Sequence, residues 1–353
     1  MNAAALPPPA PTSVRREASP SRSAANPSET EAQLLAEVVE LIGGDLAACE
    51  RIYADELASA HPAVRDVRDH VARYRGKRLR PILTLLAGAA CGEVNDKHRT
   101  LAAVVEMVHA ATLVHDDVLD GADVRRHVAT VHSRWNPRTA VLFGDFLFTH
   151  AFHLAATVDA AACRAIGAAT NAVCEGELTQ IHERGNADLT EAEYFAIVGG
   201  KTAALTAVSA ELGAVHAGAD EATVEALRSY GEDLGVAFQI ADDLLDLVGE
   251  EGCVGKSLGS DLSEKKLTLP LIRLRDRLPE GESQQLKTLL ADPPADARER
   301  LLPLLQRTGA LESAVATARE RAAAAVARLD ELPDSDAKRL LVRLARFSVR
   351  RTF

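Results

Sequence analysis

From Glu31 to the C-terminus, apolar residues recur three and four positions apart, the spacing of a helix that buries one face. Leu101, Val105, Val108 and Thr112 form one such stripe, and it leads up to Asp116. No proline falls between Pro137 and Pro270, a span punctuated only by glycines and by polar clusters such as the one from Glu183 to Asp188. Further connections are expected from Gly213 to Asp220 and from Pro279 to Ser283. With no sustained strand alternation and no solenoid repeat, the pattern predicts an all-α fold, a single large antiparallel helical bundle over residues 31–353. Residues 1–30 differ in kind: Pro7, Pro8, Pro9, Pro11, Pro20 and Pro27 stand among alanines and serines, with too little apolar surface to offset the entropy of ordering. They read as a disordered tail.

Composition sharpens this. Hydrophobic residues are 47% of the chain but aromatics only 4%, which suits close-packed helices better than sheets. The formal net charge of -11 argues against a nucleic-acid surface, so any phosphate must be met by local clusters of basic residues. Cys49, Cys91, Cys163, Cys174 and Cys253 form no C-x-x-C pair and read as reduced thiols of a cytoplasmic protein. No apolar run is expected to span a bilayer, although peripheral membrane contact stays open.

Two segments share the pattern Asp-Asp-x-x-Asp: Asp116, Asp117 and Asp120, then Asp242, Asp243 and Asp246. On a helix the first and last members lie four residues apart on one face, so their carboxylates can converge. One copy usually marks a solvated helix end; two copies, each closing an apolar stripe, point to hard cations such as Mg²⁺ held together with a diphosphate. Neither acidic motif supplies a carboxylate paired with a histidine in E-x-x-H spacing, which disfavours a di-iron bundle. Basic clusters accompany the acids: Lys77, Arg78 and Arg80 before a helix start, Arg125 and Arg126 after the first motif, and Lys256, Lys265 and Lys266 after the second. Gly199 and Gly200 interrupt an apolar helical pattern just before Lys201 and Thr202, where a kink would free backbone carbonyls.

These residues, in this order, resemble the trans-isoprenyl diphosphate synthases, also called polyprenyl synthetases. The resemblance runs through GKRLRP, HAATLVHDDVLD with ADVRR, GKTAAL, FQIADDLLD, GKSLGSDL and KKLTLP. It implies a homodimeric, Mg²⁺-dependent prenyltransferase of isoprenoid biosynthesis that condenses isopentenyl diphosphate with an allylic diphosphate into a linear polyprenyl diphosphate. Lys77, Arg80, His109 and Arg126 would bind isopentenyl diphosphate. Arg125, Lys201, Thr202, Gln239, Lys256 and Lys266 would bind or act on the allylic diphosphate, with Lys201, Thr202 and Gln239 at the reacting centre. Asp116, Asp117, Asp120, Asp242, Asp243 and Asp246 would hold the metal. The sequence departs from the family pattern at Lys265, where glycine is frequent, and at His127, where a small residue is common.

The resemblance leaves rivals to weigh. A terpene cyclase would not need Lys77, Arg80 and His109, and a non-catalytic partner subunit would not be expected to keep both acidic triads. Chain length is set by the apolar channel that a growing tail must follow away from the metal site. The stripe through Val108 and Thr112 points that way, with Phe148 and Phe152 as candidate floors. In the family, aromatic residues at the positions of Ala111 and Thr112 go with short products. Their absence predicts a product longer than fifteen carbons, a medium or long chain of the kind that becomes a quinone side chain, with a shorter geranylgeranyl or farnesyl product as the alternative.

Overall fold

The computed structural model describes residues 27–74, 76–249, 259–294 and 296–350. Its helices are, in order, α1 (Pro27–Glu56), α2 (Pro62–Val71), α3 (Leu79–Cys91), α4 (Asp96–Leu119), α5 (Val131–Arg134), α6 (Pro137–Val158), α7 (Ala160–His182), α8 (Glu191–Val198), α9 (Ala204–His216), α10 (Glu221–Val248), α11 (Ser260–Ser263), α12 (Leu269–Arg277), α13 (Glu280–Ala291), α14 (Ala297–Thr308), α15 (Ala310–Ala327) and α16 (Asp336–Ser348). Between α4 and α5, β1 (Val124–Arg125) and β2 (Val128–Ala129) form one tight antiparallel hairpin, the only strands among the described residues. The all-α expectation holds.

Local chemistry sets the boundaries. Asn95 caps α4 by accepting from the backbone of Lys97 and His98, and Thr190 and Glu193 cap α8 reciprocally. Pro137 and Pro270 sit in the first turns of α6 and α12, where a missing N–H leaves no bond unmade. The connection expected from Glu183 to Asp188 is present. The other two are shorter than expected, because α9 runs on to His216 and α13 begins at Glu280. Helix α1 begins at Pro27, inside the segment read as a tail; residues 1–26 lie outside the described residues.

The core is built in three parts. One joins α1, α3, α10 and α16, a second joins α8 and α10 to α12–α15, and a third joins α4, α6, α7 and α9. Helices α4 and α10 both pack on α9, and a cavity of about 1870 Å³ opens between them. Helices α8 and α9 continue one another through a π-helical turn, Gly199–Ala203. That turn crosses α7 where Gly176 faces Gly200: a Cβ on Gly176 would come within 2.4 Å of the Lys201 nitrogen, and one on Gly200 within 2.7 Å of the Ala172 carbonyl. Only glycine lets the two backbones approach this closely. At the paired glycines, where a kink was expected, the helix forms this π-helical turn, and Lys201 and Thr202 of the turn line the cavity.

Two apolar segments need correcting. Pro137–Val158 and Glu191–His216 are long and apolar enough to cross a membrane by length and composition, against the expectation that no run would be. The second is mostly packed inside the protein. Helix α6 buries Ala140, Phe143, Gly144, Leu147, Ala151 and Ala155 but leaves Val141 and Leu142 exposed on its outer side, with Leu178 exposed on α7.

Candidate active site

The acidic motifs face the cavity from opposite walls. Asp116 lies in the last turn of α4 and Asp120 caps that helix, while Asp242 and Asp243 lie in the C-terminal third of α10; all four line the cavity. His109, Thr112 and Leu113 continue the α4 wall, so His109 does share a face with Asp116. Lys201 stands between the walls, its ammonium paired with Glu177 and donating to the Gln180 side chain at 2.7 Å. Lys266 reaches Asp120 at 3.5 Å and also pairs with Glu264. Arg184 donates to Asp120 at 2.6 Å.

These contacts tune the acids in opposite directions. Burial pushes Asp116 up to about 6, with Lys201 opposing the shift and Glu177 and Asp120 adding to it. Burial also raises Asp120, but Lys266 and its neighbours outweigh it and hold the carboxyl below its ordinary value. Asp117 is buried against Arg125, which donates to one carboxylate oxygen at 2.7 Å; the other oxygen has no hydrogen-bond partner. One oxygen of Glu177 is likewise buried and unpartnered.

At the adjoining end the sign reverses. Arg78, Arg80, Arg125, Arg126 and Lys77 line the cavity with Glu106, which pairs with Arg78. Burial works against the charge of Arg80, and its Nε is buried without a partner. An arginine cannot shed its proton near neutral pH, so an incoming anion is what relieves it. Burial, followed by Arg80 and Arg126, drives His109 well below its ordinary value, so it faces that anion as a neutral ring. Arg126 donates to the Tyr74 carbonyl at 2.9 Å and passes over Gly76, where a Cβ would lie 2.4 Å from its Nη1.

Several sequence expectations shift. Both carboxylate oxygens of Asp246 accept hydrogen bonds from the turn at Ser260 and Asp261, and Asp246 does not line the cavity. Asp117 also stands behind the wall, so the motif acids that line the cavity are Asp116, Asp120, Asp242 and Asp243. Ala111 and Val108, expected to line a tail channel, are fully buried in the core shared with α6 and α7, as are Leu101 and Val105. One residue of helix turns a side chain by roughly 100°. Thr112 thus faces the cavity while Ala111 faces the core. Lys77 lines the rim and pairs with Glu31, and Lys265 is exposed. Lys256 and Cys253 lie outside the described residues.

Sequence reasoning missed Glu106, Glu177, Gln180 and Tyr194. Glu177 and Gln180 carry a usable signal, since they stand three apart on α7 directly after Gly176. Glu106 and Tyr194 are single polar groups in apolar runs, and their partners are distant in sequence.

The donor set fits magnesium. Carboxylate oxygens are the hard ligands it takes. Among the described residues no three acidic, histidine or cysteine groups are placed so that they could hold a metal ion without other ligands. An ion shared between a diphosphate and Asp116, Asp120 or Asp242 would take most of its shell from phosphate oxygens and water, as magnesium does.

Comparison with known proteins agrees with this geometry. The polyprenyl synthetase family model matches residues 61–302. An all-trans-nonaprenyl-diphosphate synthase (geranyl-diphosphate specific) of Rhodobacter capsulatus is 37% identical over 317 residues, covering 89% of this chain and 97% of that protein. The octaprenyl diphosphate synthase of Escherichia coli is 33% identical, covering 90% and 99%. Among solved structures, a polyprenyl synthase from Caulobacter crescentus complexed with calcium and isoprenyl diphosphate superposes with a TM-score of 0.85 at 37% identity, covering 89% of this chain and 97% of that one. A decaprenyl diphosphate synthase from Rhodobacter capsulatus gives 0.86 at 35% identity, covering 90% and 99%. Matched by that family model over more than half of its length, and 37% identical to a relative across 89% of it, the chain belongs to the polyprenyl synthetase family.

Proposed function

We propose that this protein is a trans-prenyltransferase that condenses isopentenyl diphosphate with an allylic diphosphate and builds a medium or long polyprenyl diphosphate. One observation carries the reading: a single cavity holds two facing acid pairs at one end and a guanidinium cluster with one neutral histidine at the other. Two diphosphates with different needs can sit side by side there.

Asp116, Asp120 and Asp242 would hold Mg²⁺ together with the allylic diphosphate, and the bound ion would supply positive charge to the leaving group. Lys201, Lys266 and Arg125 add positive charge around the same leaving group, in a site where low dielectric strengthens each contact. Lys77, Arg80, His109 and Arg126 orient isopentenyl diphosphate so that its double bond faces the allylic carbon. Ionisation gives an allylic cation, the double bond attacks it, and a proton leaves to give the lengthened allylic product. The diphosphate released in the first step is the base at hand.

The protein works as a homodimer in the cytoplasm. A second copy covers the exposed Val141, Leu142 and Leu178 face of α6 and α7, and the product leaves for a membrane, where it becomes a quinone side chain. The test is incubation of the purified protein with Mg²⁺, isopentenyl diphosphate and geranyl, farnesyl or geranylgeranyl diphosphate, with chromatography of the products. Chains longer than twenty carbons support the reading; no elongation of any primer refutes it.

A further inference from the structure

A chain of side-chain hydrogen bonds runs from the core of the second acidic motif into the cavity. The Tyr194 hydroxyl donates to Asp243 Oδ2 at 2.6 Å, Gln239 Nε2 donates to Asp243 Oδ1 at 2.8 Å, and the Thr202 hydroxyl donates to Gln239 Oε1 at 2.8 Å. Tyr194 is buried in the core cluster of Ile197, Val198 and the α10 and α12 leucines, and it lines the cavity wall together with Asp243, Thr202 and Gln239.

The polarity of this chain is set at its buried end. A carboxylate only accepts, so Gln239 must turn its amide nitrogen toward Asp243 and its oxygen toward Thr202. The opposite orientation would press two oxygens together. Thr202 then has to donate to Gln239, which leaves its lone pairs, and not its proton, for whatever occupies the cavity. The phenol that starts the chain keeps its proton, because burial and then the Asp243 charge push it well above its ordinary value.

We propose that Tyr194 is a positioning residue that holds Asp243 so that Thr202 presents an electron-rich oxygen to the allylic carbon as positive charge develops there. This rests on the prenyltransferase reading above and assigns a role to a side chain outside the motifs. Without the phenol, Asp243 Oδ2 loses the hydrogen bond that Tyr194 donates, Gln239 is held less firmly in its orientation, and the Thr202 hydroxyl can turn its proton toward the cation. The loss falls on the charge-developing step and leaves the distant isopentenyl diphosphate site alone.

The experiment is a double-mutant cycle with Tyr194→Phe and Thr202→Val, reading kcat, the KM of each substrate and the melting temperature. Tyr194→Phe is expected to lower kcat about tenfold with the KM for isopentenyl diphosphate unchanged, and to cost less than about threefold more once Thr202→Val is present. Asp243→Asn probes the same chain while leaving the Tyr194 ring intact. An amide at 243 can donate, so Gln239 can turn over, and kcat should fall at least as far as in Tyr194→Phe. Losses that multiply in the double variant, or an Asp243→Asn enzyme with wild-type kcat, overturn the proposal and leave the prenyltransferase reading standing. A wild-type protein that elongates no primer overturns both.

Discussion

Asp246 and Ser260 are joined twice: one carboxylate oxygen of Asp246 accepts from the Ser260 backbone at 3.2 Å and from its hydroxyl at 2.8 Å. The other oxygen accepts from the Asp261 nitrogen at 3.0 Å, and the Asp246 carbonyl takes the Gly259 N–H. Asp246 thus ties the start of α11 back onto α10, beside the acids it resembles in sequence.

This separates the two motif ends by experiment. Asp242→Asn removes a carboxylate from the cavity wall and is expected to lower kcat by about a thousandfold, through lost charge stabilisation. Asp246→Asn keeps one acceptor oxygen and is expected to cost about 1 to 2 kcal/mol of stability and roughly tenfold in kcat. Turnover at saturating magnesium and urea unfolding of both variants check the split. Equal losses of kcat would return Asp246 to the metal site.

The acid pairs were legible in the sequence because carboxylates four apart on a helix must share a face, and because two copies each closed an apolar stripe. The role of Asp246 was not, since the same spacing serves a ligand and a cap, and the partner lies beyond a turn whose path no periodicity encodes. Of the stripe Leu101, Val105, Val108 and Thr112, only Thr112, the member nearest Asp116, reaches the cavity, and the other three are buried in the core. The all-helical bundle came through because the apolar residues along the chain carry the helical period. Tyr194 and Glu106 did not, because their meaning depends on Asp243 and Arg78, brought to them only by tertiary packing.

Lys265 has a φ of 56° and His127 a φ of 64°, the left-handed region that favours glycine. These are the two positions where the sequence departs from the family pattern. Lys265 is held in place by its carbonyl, which accepts from the Gly185 N–H at 2.9 Å. Lys265→Gly and His127→Gly are each expected to stabilise the protein by up to about 1 kcal/mol, since the steric cost outweighs the entropy glycine adds to the unfolded chain. Lys265→Ala, which keeps a Cβ, should give no such gain. Urea midpoints compare the three.

His98 supplies a pH dependence away from the catalytic cavity. Its Nδ1 accepts from the Asn95 N–H at 3.1 Å and its Nε2 faces the Gly213 carbonyl at 2.9 Å, so the fully buried ring fits as one neutral tautomer. Burial lowers it below the ordinary value of 6.5, against the pull of the Gly213 carbonyl. The unfolded ring therefore takes a proton before the folded one does. Its contribution to stability is complete above the unfolded value and is lost as pH falls through 6.5 toward the folded value, at up to about 1.4 kcal/mol per pH unit. Chemical unfolding between about pH 5 and 8 should show a shallower acid limb in His98→Gln than in the wild type. Identical slopes would mean that His98 does not carry the effect.

Chain length gives the last test, because the two adjacent residues singled out from the sequence face different ways. Thr112 lines the cavity one helical turn from Asp116, and its hydroxyl donates to the His109 carbonyl at 2.8 Å, which leaves its methyl group for the wall. Ala111 has no exposed surface and packs in the core shared with Phe143 and Leu147 of α6. A phenyl ring at 112 therefore enters the space a growing tail needs, at a rise of about 6 Å from the metal ligand. Thr112→Phe is expected to shift the products to markedly shorter chains while the first condensation continues. An aromatic ring at 111 has first to displace a filled core, so Ala111→Tyr is expected to cost about 1 to 3 kcal/mol of stability. Product chromatography paired with thermal melts distinguishes the two. If Ala111→Tyr shortens the product without loss of stability while Thr112→Phe leaves the distribution unchanged, the tail runs on the α6 side of α4, and the wall assigned here to Thr112 is wrong.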